Sequence, residues 1–279
     1  SNNIIANNTV IDYGGGIYSG SVATVMNNTI SNNTASTGSA IYFRYPGTVS
    51  ENTVIGNKSA TSSSGSTFYF GIFSAPLINN NNFFNNTTTY ELWNNLGQGS
   101  PNVNAENNWW GTAIDSEIED KIYHLVDDSS KGFVDYIPYS PAIRTDAPIS
   151  HPTGLTGTAG AGSITLTWSA NTESDVAGYK VYWDTDSGHP YANVVNVGNV
   201  TSYTIPSLSV GTYYVTVTAY DTSYNPTNDN PNTIVNDNQT NGNESWYATE
   251  KAVILGGCID NDGDGYGNPG DASCLNGSA

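Results

Sequence analysis

An all-β chain built as two successive architectures, a coil of short parallel strands and then a sandwich, is predicted by three features of the sequence. An asparagine-centred segment recurs through the first 112 residues. Apolar alternation with regular turn signals begins near Pro152, and Asn, Ser, Thr and Gly carry most of the polarity. The 279 residues suffice for one large domain or two ordinary ones, and only 11% of them are charged. Seven Lys or Arg against 25 Asp or Glu give a formal net charge of -18, which excludes a phosphate-tracking nucleic-acid binder. No apolar run reaches membrane-span length. No charged-then-apolar leader opens the chain, and the start at Ser1 without Met reads as a processed or excerpted piece of a secreted precursor.

The recurring segments are Asn7-Asn8-Thr9-Val10, Asn27-Asn28-Thr29-Ile30, Glu51-Asn52-Thr53-Val54, Asn80-Asn81-Asn82-Phe83 and Glu106-Asn107-Asn108-Trp109. Taking Asn8, Asn28, Asn52, Asn81 and Asn107 as equivalent gives steps of 20, 24, 29 and 26. A second series interleaves: Gly16-Ile17-Tyr18, Ala40-Ile41-Tyr42, Thr67-Phe68-Tyr69 and Glu91-Leu92-Trp93. Two short strands per period follow. Helix-pair repeats need near-constant length, whereas a coil of strands joined by elastic turns tolerates such steps. Equivalent strands then pair one coil above and below, about 4.8 Å apart. The asparagines stack as an amide ladder, and Val10, Ile30, Val54, Phe83 and Trp109 stack inside as an apolar one.

On these segments the coils of residues 1–112 resemble the right-handed parallel β-helix proteins, which include polysaccharide lyases and hydrolases, adhesins and surface-layer proteins, and the resemblance extends to about residue 140. The run Glu106-Asn107-Asn108-Trp109-Trp110-Gly111 resembles the last coil of bacterial and archaeal members. A last coil leaves an open apolar end and unpaired strand edges. Residues 113–149 supply a cover: an amphipathic helix from Asp115 to Val126, capped by Asp115, with Ile118, Ile122 and Leu125 on one face. A closing strand at Gly132–Tyr136 and a proline-rich linker follow. The N-terminal coil has no such cover, so either earlier coils or another subunit is expected against it.

Residues 150–255 read as the sandwich. Ile164, Leu166 and Trp168 share one strand face; Tyr179, Val181 and Trp183, and then Tyr213, Val215, Val217 and Ala219, repeat the alternation. The order Thr165-Leu166-Thr167-Trp168, Gly178 to Trp183, Thr201 to Ile205 and Gly211-Thr212-Tyr213-Tyr214 resembles a fibronectin type III domain. Either Tyr213 or Tyr214 supplies the tyrosine corner that this resemblance implies. The connection at 222–244 is far longer than the roughly two to five residues of an ordinary hairpin. It reads as an intermolecular contact or as a mobile surface insertion.

Residues 256–279 carry the one metal-binding motif. With Asp260 as position 1 of a calcium loop, Asp262, Asp264, the Tyr266 carbonyl, Asn268 and Asp271 fall at positions 3, 5, 7, 9 and 12, and Gly265 at the turn. Crowded carboxylates repel unless a hard dication offsets them, so Ca2+ is the expected cofactor. The stretch resembles thrombospondin type 3 repeats. Cys258 and Cys274 bracket it and read as one bridge in an oxidising, extracellular compartment.

A β-helix invites a lyase or hydrolase reading, which needs paired carboxylates or a basic proton abstractor. Residues 1–112 hold only Asp12, Glu51, Glu91 and Glu106 as acids and Arg44 and Lys58 as bases, with Glu51 and Glu106 at equivalent repeat positions two ladder coils apart. His124, His151 and His189 lack metal-ligand spacing and read as surface residues. Trp109 and Trp110 read as filling the end of the core, and Tyr42 and Tyr45 leave a glycan-binding surface open. The expectation is a non-catalytic extracellular structural or adhesive protein, a calcium-stabilised cell-surface or filament subunit. Its expected partners are copies of itself, head to tail, or cell-surface glycans. The alternative is a secreted carbohydrate-binding or carbohydrate-processing protein of which this is the accessory end.

Overall fold

A computed structural model describes residues 1–60, 65–71, 73, 75–229 and 236–256. The chain divides into two compact units: the first is Ser1–Ser150 with Thr240–Gly242, and the second takes in His151–Gln239 and resumes at Asn243. Both are built of strands. The described helical segments are short turns such as Asp115–Glu119 and Asp237–Thr240.

The first unit is a β-solenoid with three long parallel sheets, and a short fourth of Thr34–Ala35 and Lys58–Ser59, rather than the expected two strands per period. One sheet stacks Ile4–Ala6, Thr29–Ser31, Thr53–Ile55 and Asn82–Phe84. The next stacks Ile17–Ser19, Ile41–Phe43, Ser66–Phe70, Tyr90–Asn94 and Ile122–Tyr123. The third stacks Ala23–Met26, Gly47–Ser50, Leu77–Asn79, Val103–Asn104 and Val134–Asp135. Successive strands of a sheet come from successive coils, which is why the pairing is parallel.

Two asparagine ladders fix the corners. In the first, Asn3, Asn28, Asn52, Asn81 and Asn108 each pass an Nδ2–H to the Oδ1 of the next at 2.8–3.1 Å, across steps of 25, 24, 29 and 27 residues. In the second, Asn8, Asn33, Asn57 and Asn86 do the same at 2.9–3.0 Å. Each receiving Oδ1 also accepts the backbone N–H of the asparagine below it, as Asn52 Oδ1 does from Asn28 at 2.9 Å. The residue before each ladder asparagine adopts a left-handed conformation: Asn2, Asn27, Glu51, Asn80 and Asn107 in one column, Asn7, Asn32, Gly56 and Asn85 in the other, at φ 52 to 69°. Asn and Gly tolerate that region best, which explains the doubled asparagines in the sequence.

The ladder frame therefore differs from the expected one at its ends. Asn28, Asn52 and Asn81 stack as expected. Asn8 belongs to the second ladder, Asn3 heads the first, and Asn108 rather than Asn107 ends it. The asparagine mark recurs within a coil five residues apart, and in the first coil Asn2-Asn3 and Asn7-Asn8 feed different ladders. The apolar column shifts with it. Ile5, Ile30, Val54 and Phe83 are in register, and pairing of Asn82 with Trp109 sets Trp110 above Phe83. Trp110 is buried and packs on Phe83 at 5.0 Å between ring centroids, whereas Val10 is exposed.

The cover is also different. Only Asp115–Glu119 is helical, its N-cap is Ile114, and no side chain caps it. Ile118 is buried beneath it, but Ile122–Tyr123 is a strand that pairs with Leu92 and Trp93. Continuing the sheet satisfies backbone groups that a longer helix would have left at an open strand edge. The strand Val134–Asp135 then closes the third sheet on Val103–Asn104.

The second unit is an antiparallel sandwich. Thr153–Gly160, Ser163–Ser169 and Ser202–Ile205 form one sheet; Asn193–Gly198, Val176–Asp184, Gly211–Asp221 and Lys251–Leu255 form the other, in that order. Ile164, Leu166, Trp168, Tyr179, Val181, Val215, Val217 and Ala219 are buried, as alternation requires. The opposite face of the central strands is buried too, at Lys180, Tyr182, Thr216 and Thr218. In the described part of the 222–244 connection, Asp229 bonds to Lys180, and Glu244 to Lys180, Tyr182 and Thr218, so these two residues pack on that face. Asn238 anchors the connection, accepting from Asn225 N at 3.0 Å and donating to Asn225 O at 2.8 Å. Beyond it, Ser245 N bonds to Ala219 O and Ala248 N to Val217 O.

Candidate functional site

The second solenoid sheet turns one residue of each strand inward and the next outward. Ile41, Phe68, Leu92 and Ile122 are buried in one inward column, with Ile17 packed against the same core. The outward column, in register by the same pairings, is Tyr18, Tyr42, Tyr69, Trp93 and Tyr123. Tyr18 and Tyr42 stack at 5.2 Å and Tyr42 and Tyr69 at 4.9 Å, each 7° from parallel. Trp93 and Tyr123 stack at 3.9 Å, and Tyr90 meets both edge-on at 5.5 and 5.4 Å. Tyr13 leans on Tyr42 at 5.0 Å. In the turn that follows, Tyr45 stacks on Phe73 at 4.9 Å.

Stacked rings have covered faces, so this ribbon offers ring edges and hydroxyls to a partner, with open faces at the ends of each stack. Burial, and then the neighbouring tyrosines, push the Tyr42 phenol up. The same causes push that of Tyr69 up to about 12, and the Asn95 side chain pulls it back only in part. Both phenols stay protonated and can donate as well as accept. A row of neutral O–H groups beside apolar rings suits a hydroxyl-rich, uncharged partner better than an ion.

Glu91 lies at the base of the second ladder. It is buried, and its Oε2 accepts from Asn86 Nδ2 at 3.0 Å, which ends the amide column. Burial raises its pKa, while the Thr67 hydroxyl, the Lys121 charge and the Asn86 amide pull it back. Its interacting partners are an amide, a hydroxyl and an ammonium rather than a second carboxylate. Glu51 occupies the left-handed corner equivalent to Asn80 and Asn107, so it is not the counterpart of Glu106. Asp12 is exposed.

Two of the three histidines correct the expectation of surface positions. His124 is fully buried, with Nδ1 accepting from Val134 N at 3.0 Å and Nε2 therefore donating to Glu119 Oε1 at 2.7 Å. His151 is buried, and burial lowers its pKa. His189 is exposed and packs against Trp246 at 4.7 Å. The proposed calcium ligands Asp260, Asp262, Asp264, Tyr266, Asn268 and Asp271, with Cys258 and Cys274, lie outside the described residues. Among the described residues no three His, Cys, Asp or Glu side chains are grouped to hold a metal ion.

Four members of the aromatic column, Tyr18, Tyr42, Tyr69 and Trp93, end the interleaved segments of the sequence, whereas Tyr123 lies in the stretch expected to be helical. The buried polar group around Lys180 was not legible, although a Lys and a Tyr on the second face of a central strand beside a long insertion are a signal for such a cover.

Comparison with known proteins bears on the second unit. The family described as fibronectin type III domain matches residues 150–235. No curated protein matches the chain. Among solved structures, the chicken CNTN1 FN1-FN3 domains are 18% identical at a TM-score of 0.31, over 39% of this chain and 33% of that one. The chain thus spans about a third of that protein's length. An Fn3-like protein from Clostridium thermocellum is 21% identical at a TM-score of 0.30, over 41% of this chain and 99% of that one. Residues 150–235 are accordingly a fibronectin type III domain, and a β-solenoid-like region precedes it.

Proposed function

We propose that this chain acts outside the cell as a non-catalytic structural or adhesive protein. The observation that carries the reading is the continuity of the solenoid. Two amide ladders and an apolar column run through successive coils, with aromatic rings in register along the outer face, which is stiffness rather than a concave reaction site. The fibronectin type III domain and the β-rich fold suit such a role. Calcium at Asp260, Asp262, Asp264, Tyr266, Asn268 and Asp271 is part of the proposal, as is assembly with further copies of the chain. Electron microscopy of the purified chain with calcium and with chelator tests it. Calcium-dependent filaments are expected, and monodisperse particles under both conditions would remove the assembly.

A second reading, contact with cell-surface polysaccharide, is favoured by the outward aromatic column. Affinity electrophoresis against a polysaccharide panel tests it. Retardation by a neutral glycan, weakened about tenfold by Tyr42→Ala or Trp93→Ala, is expected if each ring contributes about 1.4 kcal/mol. Unchanged mobility with every glycan would sink it.

A further inference from the structure

The returning insertion of the second unit closes over Lys180, which is 4% exposed. Its Nζ lies 2.8 Å from Asp229 Oδ2 and 3.0 Å from Glu244 Oε2. Glu244 is 1% exposed; its Oε1 accepts from Tyr182 Oη at 2.6 Å and Thr218 Oγ1 at 2.7 Å, and its Oε2 also accepts from Asn236 Nδ2 at 3.1 Å. Asp229 Oδ1 accepts from Asn238 Nδ2 at 3.1 Å, and its Oδ2 accepts the Tyr224 hydroxyl. The ammonium also sits 5.6 and 5.2 Å from the Tyr182 and Tyr224 ring centroids.

One ammonium thus faces two carboxylates; Lys180 and Glu244 are withdrawn from water while the Asp229 side chain is 29% exposed, and each of the two buried ions carries a desolvation cost. Joining the amine to one carboxylate would erase two of the three charges and leave a neutral amide. We propose that Lys180 and Asp229 condense to an intramolecular isopeptide bond, with Glu244 relaying the protons. Glu244 takes a proton from the Lys180 ammonium, and the freed lone pair attacks Asp229 Cγ to form the C–N bond. Asn238 Nδ2 is placed to hold the negative charge that develops on Oδ1. A second proton leaves the nitrogen by the same route. The Cγ–Oδ2 bond then breaks, and Oδ2 departs with its electron pair and both relayed protons as one water, beside the Tyr224 hydroxyl. Ammonium and carboxylate become amide and water, so charge and atoms balance without an oxidant or co-reactant.

Asp229 is the acceptor because it makes the shorter approach to Nζ, 2.8 against 3.0 Å. Glu244, the more deeply buried of the two and held by Tyr182, Thr218 and Asn236, is fixed as the relay. The bond would tie the insertion covalently to the strand Val176–Asp184.

Intact mass of the reduced full-length chain, followed by tandem mass spectrometry of its digest, tests this. A mass below that of the sequence by one water is expected, with a branched peptide joining Lys180 to Asp229. Glu244→Gln is expected to restore the full sequence mass. Asp229→Asn is expected to lose ammonia instead of water, a readout that requires a folded site and that a mere ion pair would not give. A folded chain that keeps its full sequence mass after prolonged incubation overturns the proposal. So does loss of water without the branched peptide, or a bond mapped to Asn236.

Discussion

Asn52 shows what a single ladder residue does. Its Oδ1 accepts the backbone N–H and the Nδ2–H of Asn28, and its own Nδ2 reaches Asn81 Oδ1, Val25 O and Ser50 O. An alanine there would strand buried donors and acceptors on two coils, each worth about 1–3 kcal/mol. Asn52→Ala is therefore expected to lower the stability of the solenoid by at least about 3 kcal/mol, read as lost hydrogen-exchange protection in residues 1–150. Exposed Asn199 supplies the control: its alanine variant should lie within about 0.5 kcal/mol of the parent. Glu91 gives the pH counterpart. Its folded pKa is raised above the ordinary 4.5, so the stability it contributes is present below that value and lost as pH rises through the folded pKa. Glu91→Gln, which keeps an acceptor for Asn86, should match the parent near pH 4 and exceed its melting temperature at pH 7. A parent more stable than the variant at pH 7 would mean that the Lys121 charge outweighs burial.

Strands differ in how plainly the sequence marks them. The sheets holding Ile30 and Ile41 were visible because doubled asparagines and aligned aromatics punctuate them. The third sheet was not, because Val25, Val49 and Ile78 follow turns of unequal length and carry no shared polar mark. Alternation is plain in its strand Leu77–Asn79: Ile78 is fully buried, and its neighbour Leu77 is 44% exposed. Ile78→Ala should cost about 2–5 kcal/mol through the cavity it leaves, while Leu77→Ser should cost under about 0.5 kcal/mol. Equal effects in urea unfolding followed by hydrogen exchange would show that the third strand is misregistered. The sandwich core was legible from its alternation. The insertion was not, since its fixing contacts are polar and nonlocal: Glu244 meets Lys180 across 64 residues, and no periodicity announces such a pair.

At the scale of the molecule, two units with separate cores should unfold in two calorimetric transitions. Calcium provides a perturbation that discriminates between them. The proposed ligands follow the fibronectin-type domain in the chain, and four of the six are aspartates, namely Asp260, Asp262, Asp264 and Asp271. Bringing those carboxylates together is unfavourable without a dication, so binding should be single-site and should tighten as ionic strength falls. Isothermal titration of the intact chain is expected to give one site with a Kd on the order of 0.1–1 mM, the range of extracellular modules. Replacing Asp262 and Asp264 together by alanine should abolish it. The hydrogen bonds described for the solenoid ladders and the Lys180 group are made without those residues, so the double variant should retain both calorimetric transitions. Calcium uptake undiminished in the double variant would move the metal elsewhere, and loss of the solenoid transition on chelation would tie the ion to a unit whose described side chains contain no grouping able to hold it.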